Sequence, residues 1–157
     1  MPLTPGASMD GVEDARRTPP YHDTVLEFGT AKPFEIDLRR PVDAAALVSM
    51  RRADLDEPFA VITACNPGGA RLDREENARR TEKLEALLRD RGIGFVGVDG
   101  CSPDRSRREP GFAVQLPLEH ARALALEFRQ DALFWFDGER FWLVAADGSM
   151  ALLPPRS

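Results

Sequence analysis

The sequence predicts an α+β domain, a two-layer sandwich on a βαββαβ core whose mostly antiparallel sheet is extended by N-terminal and C-terminal strands. Three observations carry this. From residue 59 onward, apolar runs of strand type and runs of helical periodicity follow in the order strand, helix, strand, strand, helix, strand, strand. Turn formers at Pro67-Gly68-Gly69, Gly92 and Asp137-Gly138 punctuate them. A chain of 157 residues, 43% hydrophobic and 30% charged, is long enough to bury roughly two-thirds of its unfolded surface without staples.

Residues 1–19 are rich in Pro, Gly, Ser and charge, and read as a disordered tail. The domain is expected over 20–153, with 154–157 frayed. Tyr21 to Phe28 and Phe34 to Leu38 are β-like runs separated by Gly29 and Pro33, a hairpin pattern. Pro41 to Ala53 reads as a short helix. Phe59 to Cys65 is a strand that stops at the Pro-Gly-Gly turn. Arg74 to Arg91 is a helix: Asp73 is placed to cap it, with Glu76 as reciprocal partner. Glu75–Arg79, Glu76–Arg80 and Glu85–Arg89 are spaced for i,i+4 pairing, and Gly92 ends the helix. Ile93 to Val98 and Phe112 to Leu116 are strands, and Leu118 to Phe128 is a helix with Leu118, Ala121, Ala125 and Phe128 on one stripe. Leu133 to Phe136 and Phe141 to Ala145 pair across Asp137-Gly138.

Charge and composition narrow the function classes. A net charge of −5 argues against nucleic acid as the main partner, because a phosphate backbone calls for a net basic face. Only Lys32 and Lys83 are lysine; the other basic residues are arginine. No run approaches the roughly 18 apolar residues of a membrane span, and the N-terminus has no signal-peptide core. Cys65 and Cys101 lack metal-ligand spacing and fit a reducing compartment. A soluble, cytoplasmic protein with no cofactor and no metal is expected. Whether it is an enzyme stays open.

Strand directions bring polar residues together. If the βαββαβ order holds, the first strand ends at Cys65 and delivers Asn66. The second runs parallel and delivers Gly100-Cys101-Ser102. Glu109 precedes the returning third strand, and the second helix ends at Gln130. Asn66, Ser102, Glu109 and Gln130 then gather at one edge, with Thr63 just inside the strand and Asn77 on the neighbouring helix. At 100° per residue Asn77 shares a stripe with Thr81, Leu84 and Leu88. A buried carboxamide must be hydrogen-bonded or it costs about 1–3 kcal/mol. Asn66 is a candidate partner, so Asn77 either ties down the turn after Cys65 or contacts a ligand.

The other residues have bland readings beside sharp ones. Glu109, the candidate general acid or base, can equally pair with an arginine or face water. Gln130 can cap its helix. Cys65 as a nucleophile needs a base; the histidines are His22 and His120, and His120 belongs to the opposite edge. Gly68-Gly69 can cradle an anion, but the spacing is neither GxGxxG nor a P-loop. Arg108 or Arg80 could supply positive charge. Trp135 and Trp142 read as sheet-face packing.

The stretch Phe59-Ala-Val-Ile-Thr-Ala-Cys-Asn-Pro-Gly68, with Glu76-Asn77, Gly100, Glu109-Pro110-Gly-Phe112 and Phe128-Arg129-Gln130-Asp-Ala-Leu-Phe134, resembles a bacterial domain-of-unknown-function family, DUF3293. The resemblance spans roughly residues 20–145. Its pattern of a Thr-Ala-x-Asn-Pro strand end, a helical Asn, a Glu before the next strand and a Gln before an apolar strand is met at Thr63, Asn66, Pro67, Asn77, Glu109 and Gln130. The chain departs from it at Cys65, where a large residue is expected, and at Arg129, where a small one is. The family brings no activity with it; what the resemblance implies is a shared polar constellation.

The expected function is binding of a small polar or anionic ligand at the edge formed by Asn66, Asn77, Glu109 and Gln130, with Thr63 and Ser102 beside it. Two further readings stand. One is a protein-interaction module, in which that edge is purely structural and the terminal hairpin with its aromatics, or the charged tail, is the working surface. The other is nucleic-acid binding through the arginines.

Overall fold

The computed structural model describes residues 21–155. The tail expected over 1–19 lies outside the described residues, as do Arg156 and Ser157 of the expected frayed end. Among the described residues the fold is α+β: three helices and an eight-stranded sheet. A helical turn (Tyr21–Asp23) leads into β1 (Val25–Phe28) and β2 (Phe34–Asp37), then α1 (Ala44–Arg52), β3 (Phe59–Thr63), α2 (Arg74–Asp90), β4 (Phe95–Cys101), β5 (Arg108–Val114), α3 (Leu118–Glu127), β6 (Ala132–Phe136), β7 (Phe141–Ala145) and β8 (Met150–Leu153). The strand order is β2-β1-β4-β5-β3-β6-β7-β8, and every pairing is antiparallel. The N-terminal hairpin thus extends the sheet beyond β4, and β7 with β8 extends it beyond β6.

Apolar side chains are buried on both faces of the sheet, which a two-layer sandwich does not require. The run Phe59-Ala60-Val61-Ile62 is apolar at every position, the mark of a strand covered on both sides. Ala60 and Ile62 pack with Leu84 and Leu88 of α2 and with Ala121, Leu124 and Ala125 of α3. Phe59 and Val61 face the other way, toward Leu26, Phe28, Val98, Phe141 and Met50 of α1. Three strand spacings of about 4.8 Å separate β1 from β3 in a flat sheet. Yet the rings of Phe28 and Phe59 stand 6.3 Å apart edge-to-face, and Phe141 on β7 meets the same ring at 6.0 Å. The sheet therefore curls, with α2 and α3 on its convex face and a partly filled trough on its concave face.

Local signals explain the helices. Asp43 caps α1 by accepting from Ala46 N at 2.8 Å, and Asp73 caps α2 by accepting from Glu76 N at 2.8 Å. Gly92, with φ 67°, follows the end of α2. Glu75 and Glu85 pair with Arg79 and Arg89 as their spacing predicts. Arg80 does not pair with Glu76. Its guanidinium turns inward and donates to Ala64 O at 2.6 Å and Phe128 O at 2.8 Å, joining α2 to the ends of β3 and α3. Two boundaries also differ from expectation. β5 begins at Arg108, so Glu109 and Pro110 lie within the strand, paired with Gly100 and Asp99 of a longer β4. β8 follows the Asp147-Gly148 turn and had no counterpart in the element pattern read from the sequence.

Candidate functional site

The segment Thr63-Ala64-Cys65-Asn66 leaves β3 beside the start of β5, and its side chains carry the ladder past the strand end. Thr63 Oγ1 donates to Pro110 O at 2.9 Å and accepts from Cys65 N at 3.0 Å. Residue 111, opposite Thr63, has to be glycine: a Cβ there would lie 2.5 Å from Ile62 O. The chain then turns sharply at Asn66, which adopts left-handed φ 49° and ψ 58°, a region asparagine tolerates better than most residues.

Asn66 is held on every side. Its backbone N–H donates to Asn77 Oδ1 at 2.9 Å, and its Oδ1 accepts from Leu72 N at 2.9 Å and Asn77 Nδ2 at 3.0 Å. Its Nδ2 donates to Glu109 Oε2 at 2.7 Å. Asn77 Nδ2 also reaches Leu72 O at 3.4 Å. Gln130, buried at the end of α3, donates from Nε2 to Cys65 O at 3.1 Å and Phe128 O at 3.2 Å. One connected network therefore joins β3, α2, β5 and the α3–β6 junction. Asn77 serves it as a buttress: its carboxamide spans Asn66 and Leu72.

These groups border a cavity of about 740 Å³ in the concave trough. Thr63, Asn66, Ser102, Glu109 and Gln130 line it, whereas Asn77 stands behind Asn66, outside the lining. Ser102 belongs to the β4–β5 turn, where its hydroxyl donates to Asp104 Oδ1 at 2.8 Å and accepts from Arg107 N at 2.9 Å; it makes no hydrogen bond to the Asn66 network. The floor is apolar, built from Leu26, Val61, Val98, Phe134 and Leu143. Val61, Thr63 and Cys65 share the concave side by strand alternation, so one strand supplies floor, rim and mouth.

Sequence reasoning missed several liners, Tyr21, Asp131 and Arg71 among them. Tyr21, the chain's single tyrosine, sets its ring edge-to-face on Phe134 at 6.0 Å and lines the cavity. Burial, then the charges of Asp131 and Glu109, push its phenol up to about 12. Asp131 follows Gln130 at the same junction, and Arg71 lies in the loop before α2; both line the cavity. Adjacency to Gln130 was the available signal for Asp131. For Tyr21 there was none, because its place depends on the curl of the sheet.

The positive charges differ from expectation. Arg80 is committed to two carbonyls and is not part of the lining. Arg108 is in the lining, but it donates to Glu27 at 2.6 Å and Asp99 at 2.9 Å, and Arg105 is held by Glu27 and Glu35 at 2.7 Å each. Those hydrogen bonds, that from Arg108 foremost, hold the Glu27 carboxyl below its usual range. Gly68-Gly69 forms no anion cradle. Gly68 N donates to Arg129 O at 2.7 Å, Gly69 N to Asn66 O at 3.0 Å and Ala70 N to Pro67 O at 3.1 Å. The Cys65 thiol is pushed up by burial, and its Sγ lies 3.7 Å from both Thr81 Oγ1 and Pro110 O, the setting of a protonated packing thiol. Cys101 is likewise pushed up by burial. Among the described residues no cluster of three His, Cys, Asp or Glu side chains could hold a metal ion, and no helix is long and apolar enough to cross a membrane.

The model of the family described as "Protein of unknown function (DUF3293)" matches residues 62–133, the stretch that runs from the end of β3 to the start of β6 and holds Thr63, Asn66, Asn77, Glu109 and Gln130. No curated protein and no solved structure matches the chain.

Proposed function

Residues 62–133 match the DUF3293 family of unknown function, and we propose that the chain binds a small polar ligand in the concave cavity, at the rim formed by Asn66, Glu109 and Gln130. The observation that carries this reading is the cavity itself. It combines about 740 Å³ of space, an apolar floor and a few fixed polar groups on one wall, the usual make-up of a small-molecule site. In this reading Asn77 is a positioning residue that acts through Asn66. Glu109, fixed by Asn66 Nδ2, is the group placed to accept a ligand's hydrogen bonds or to move a proton. The proposal also takes β3-α2-β4-β5-α3-β6 as a split βαββαβ core, which the strand order β4-β5-β3-β6 supports.

The other two readings draw less support. Among the described residues the exposed large apolar side chains are Val48, Leu126 and Met150, on three separate elements, while Trp135 and Trp142 pack partly buried on the convex-side core. That is not the contiguous patch expected of a docking surface. Arg39, Arg79, Arg89, Arg91, Arg105, Arg108 and Arg122 each stand in an ion pair with a carboxylate, which leaves fewer free guanidiniums for a phosphate backbone.

A thermal-shift panel of small polar metabolites tests the binding reading on wild type, Asn77→Ala and Glu109→Gln. Ligand at 100 times its Kd stabilises by about 2.7 kcal/mol. The expected result is a compound that raises the Tm of wild type and fails to raise that of Glu109→Gln, which retains the wild-type Tm without ligand. A panel that shifts nothing in wild type, with Asn77→Ala merely less stable, would leave the network as a loop clamp.

A further inference from the structure

We propose that the head group this cavity selects is a protonated nitrogen, an amine or guanidinium, on an apolar body; the inference rests on the binding reading above. The neutral polar groups of the inner wall already have protein partners. Asn66 uses its amide nitrogen on Glu109 and its amide oxygen on Leu72 and Asn77. Thr63 bridges Pro110 and Cys65, and Gln130 Nε2 holds two carbonyls. The backbone N–H groups of the Gly68–Ala70 turn are spent as well. An anion at this inner wall would find few free donors; the guanidiniums of Arg71 and Arg107, which also line the cavity, are exposed.

The carboxylates have capacity left. An ionised carboxylate offers about four acceptor sites, and Glu109 gives one contact to Asn66. Asp131 lines the cavity beside the Gly69 turn: its Oδ2 is 3.8 Å from where a Gly69 Cβ would stand. Glu109 and Asp131 both line the cavity with Tyr21, and after burial their charges raise its phenol. Its ring and that of Phe134 add aromatic surface, which attracts a cation. Arg108 is neutralised by Glu27 and Asp99. Arg71, Arg107 and Asp131 are all exposed, so water and salt screen the three alike, and the half-buried Glu109 is the less screened charge. The apolar floor then takes the rest of the ligand.

Three probes with one apolar body and different heads separate the possibilities: 2-phenylethylamine, 2-phenylethanol and phenylacetate. Each is titrated calorimetrically into the full-length chain at neutral pH. The amine is expected to bind about tenfold more tightly than the alcohol, a difference of about 1.4 kcal/mol, and phenylacetate to bind most weakly. Glu109→Gln and Asp131→Asn should each erase most of the amine's advantage over the alcohol. Glu109→Gln keeps an oxygen for Asn66 Nδ2, so its fold is preserved. Equal or tighter binding of the alcohol or of phenylacetate would overturn the cationic head group and leave the binding reading standing. Failure of all three at millimolar concentration, with a hit from the metabolite panel, would overturn it too; failure of both experiments removes the cavity reading itself.

Discussion

The two faces of the sheet are built from alternate residues of the same strands, yet only one of them is filled. On the convex face, Ala60, Ile62 and Ala64 of the β3 region meet Leu84 and Leu88 of α2, and all five are at most 1% exposed. On the concave face the same strand begins with Phe59 and Val61, is polar by Thr63, and ends against open space bordered by Asn66. The convex face has two helices to cover it, the 17-residue α2 and the 10-residue α3. The concave face has the short α1 at one end and, at the other, only the curl of the sheet. The difference shows how a single strand can serve stability and a site together: alternation keeps the two uses on opposite sides, and the change from Val61 to Thr63 marks where packing stops.

The sharpest way to break that comparison is to make the same truncation on both faces. Leu84→Ala removes a fully buried side chain from the helix-covered core, where surrounding side chains cannot collapse into the gap. It is expected to cost about 4 kcal/mol, within the range of buried Leu→Ala changes. Leu143→Ala removes a half-buried side chain already bordering the cavity, and is expected to cost less than about 2 kcal/mol. Urea unfolding of the two variants reads both values. Equal costs would mean that the concave face is packed as tightly as the convex one.

Gly111→Ala addresses the line where the two uses meet. A Cβ at 2.5 Å from Ile62 O forces β3 and β5 apart beside Thr63, and overpacking of this kind costs about 1–3 kcal/mol. The same movement would pull Pro110 O from Thr63 Oγ1, so the Tm should fall and any ligand-induced shift should disappear with it. A variant as stable as wild type would show that the strand end is looser than its hydrogen bonds imply.

Much of the rim was legible in the sequence. Strand direction alone brought Asn66, Glu109 and Gln130 to one end of the sheet, and helical spacing turned Asn77 toward the turn that Asn66 occupies. What was not legible depends on contacts that no local spacing records. Arg80 sits at the correct distance from Glu76 for a surface pair, but the carbonyls of Ala64 and Phe128 lie under it and take the guanidinium instead. Arg108-Glu109-Pro110-Gly111 reads as loop because Pro and Gly disfavour strands; pairing with Asp99, Gly100 and Cys101 makes it strand. Tyr21 and the cavity floor belong to the curl, which is a property of the whole sheet.

The smallest effect is also the most local. Tyr21 is the only tyrosine, so its phenolate absorbance reports on the concave rim alone. Its phenol is raised to about 12 by burial, then by Asp131 and Glu109, from an unperturbed value near 10. The folded state therefore holds this proton more tightly than the unfolded state. The associated stability is complete below about pH 10 and is lost as pH rises toward 12. A spectrophotometric titration should show a midpoint near 12. Glu109→Gln and Asp131→Asn should each move it down by a fraction of a unit, because each removes one negative charge while burial remains. Titration at the value of a free tyrosine would place the ring in water and separate it from both carboxylates, and the concave rim would then lose its aromatic wall.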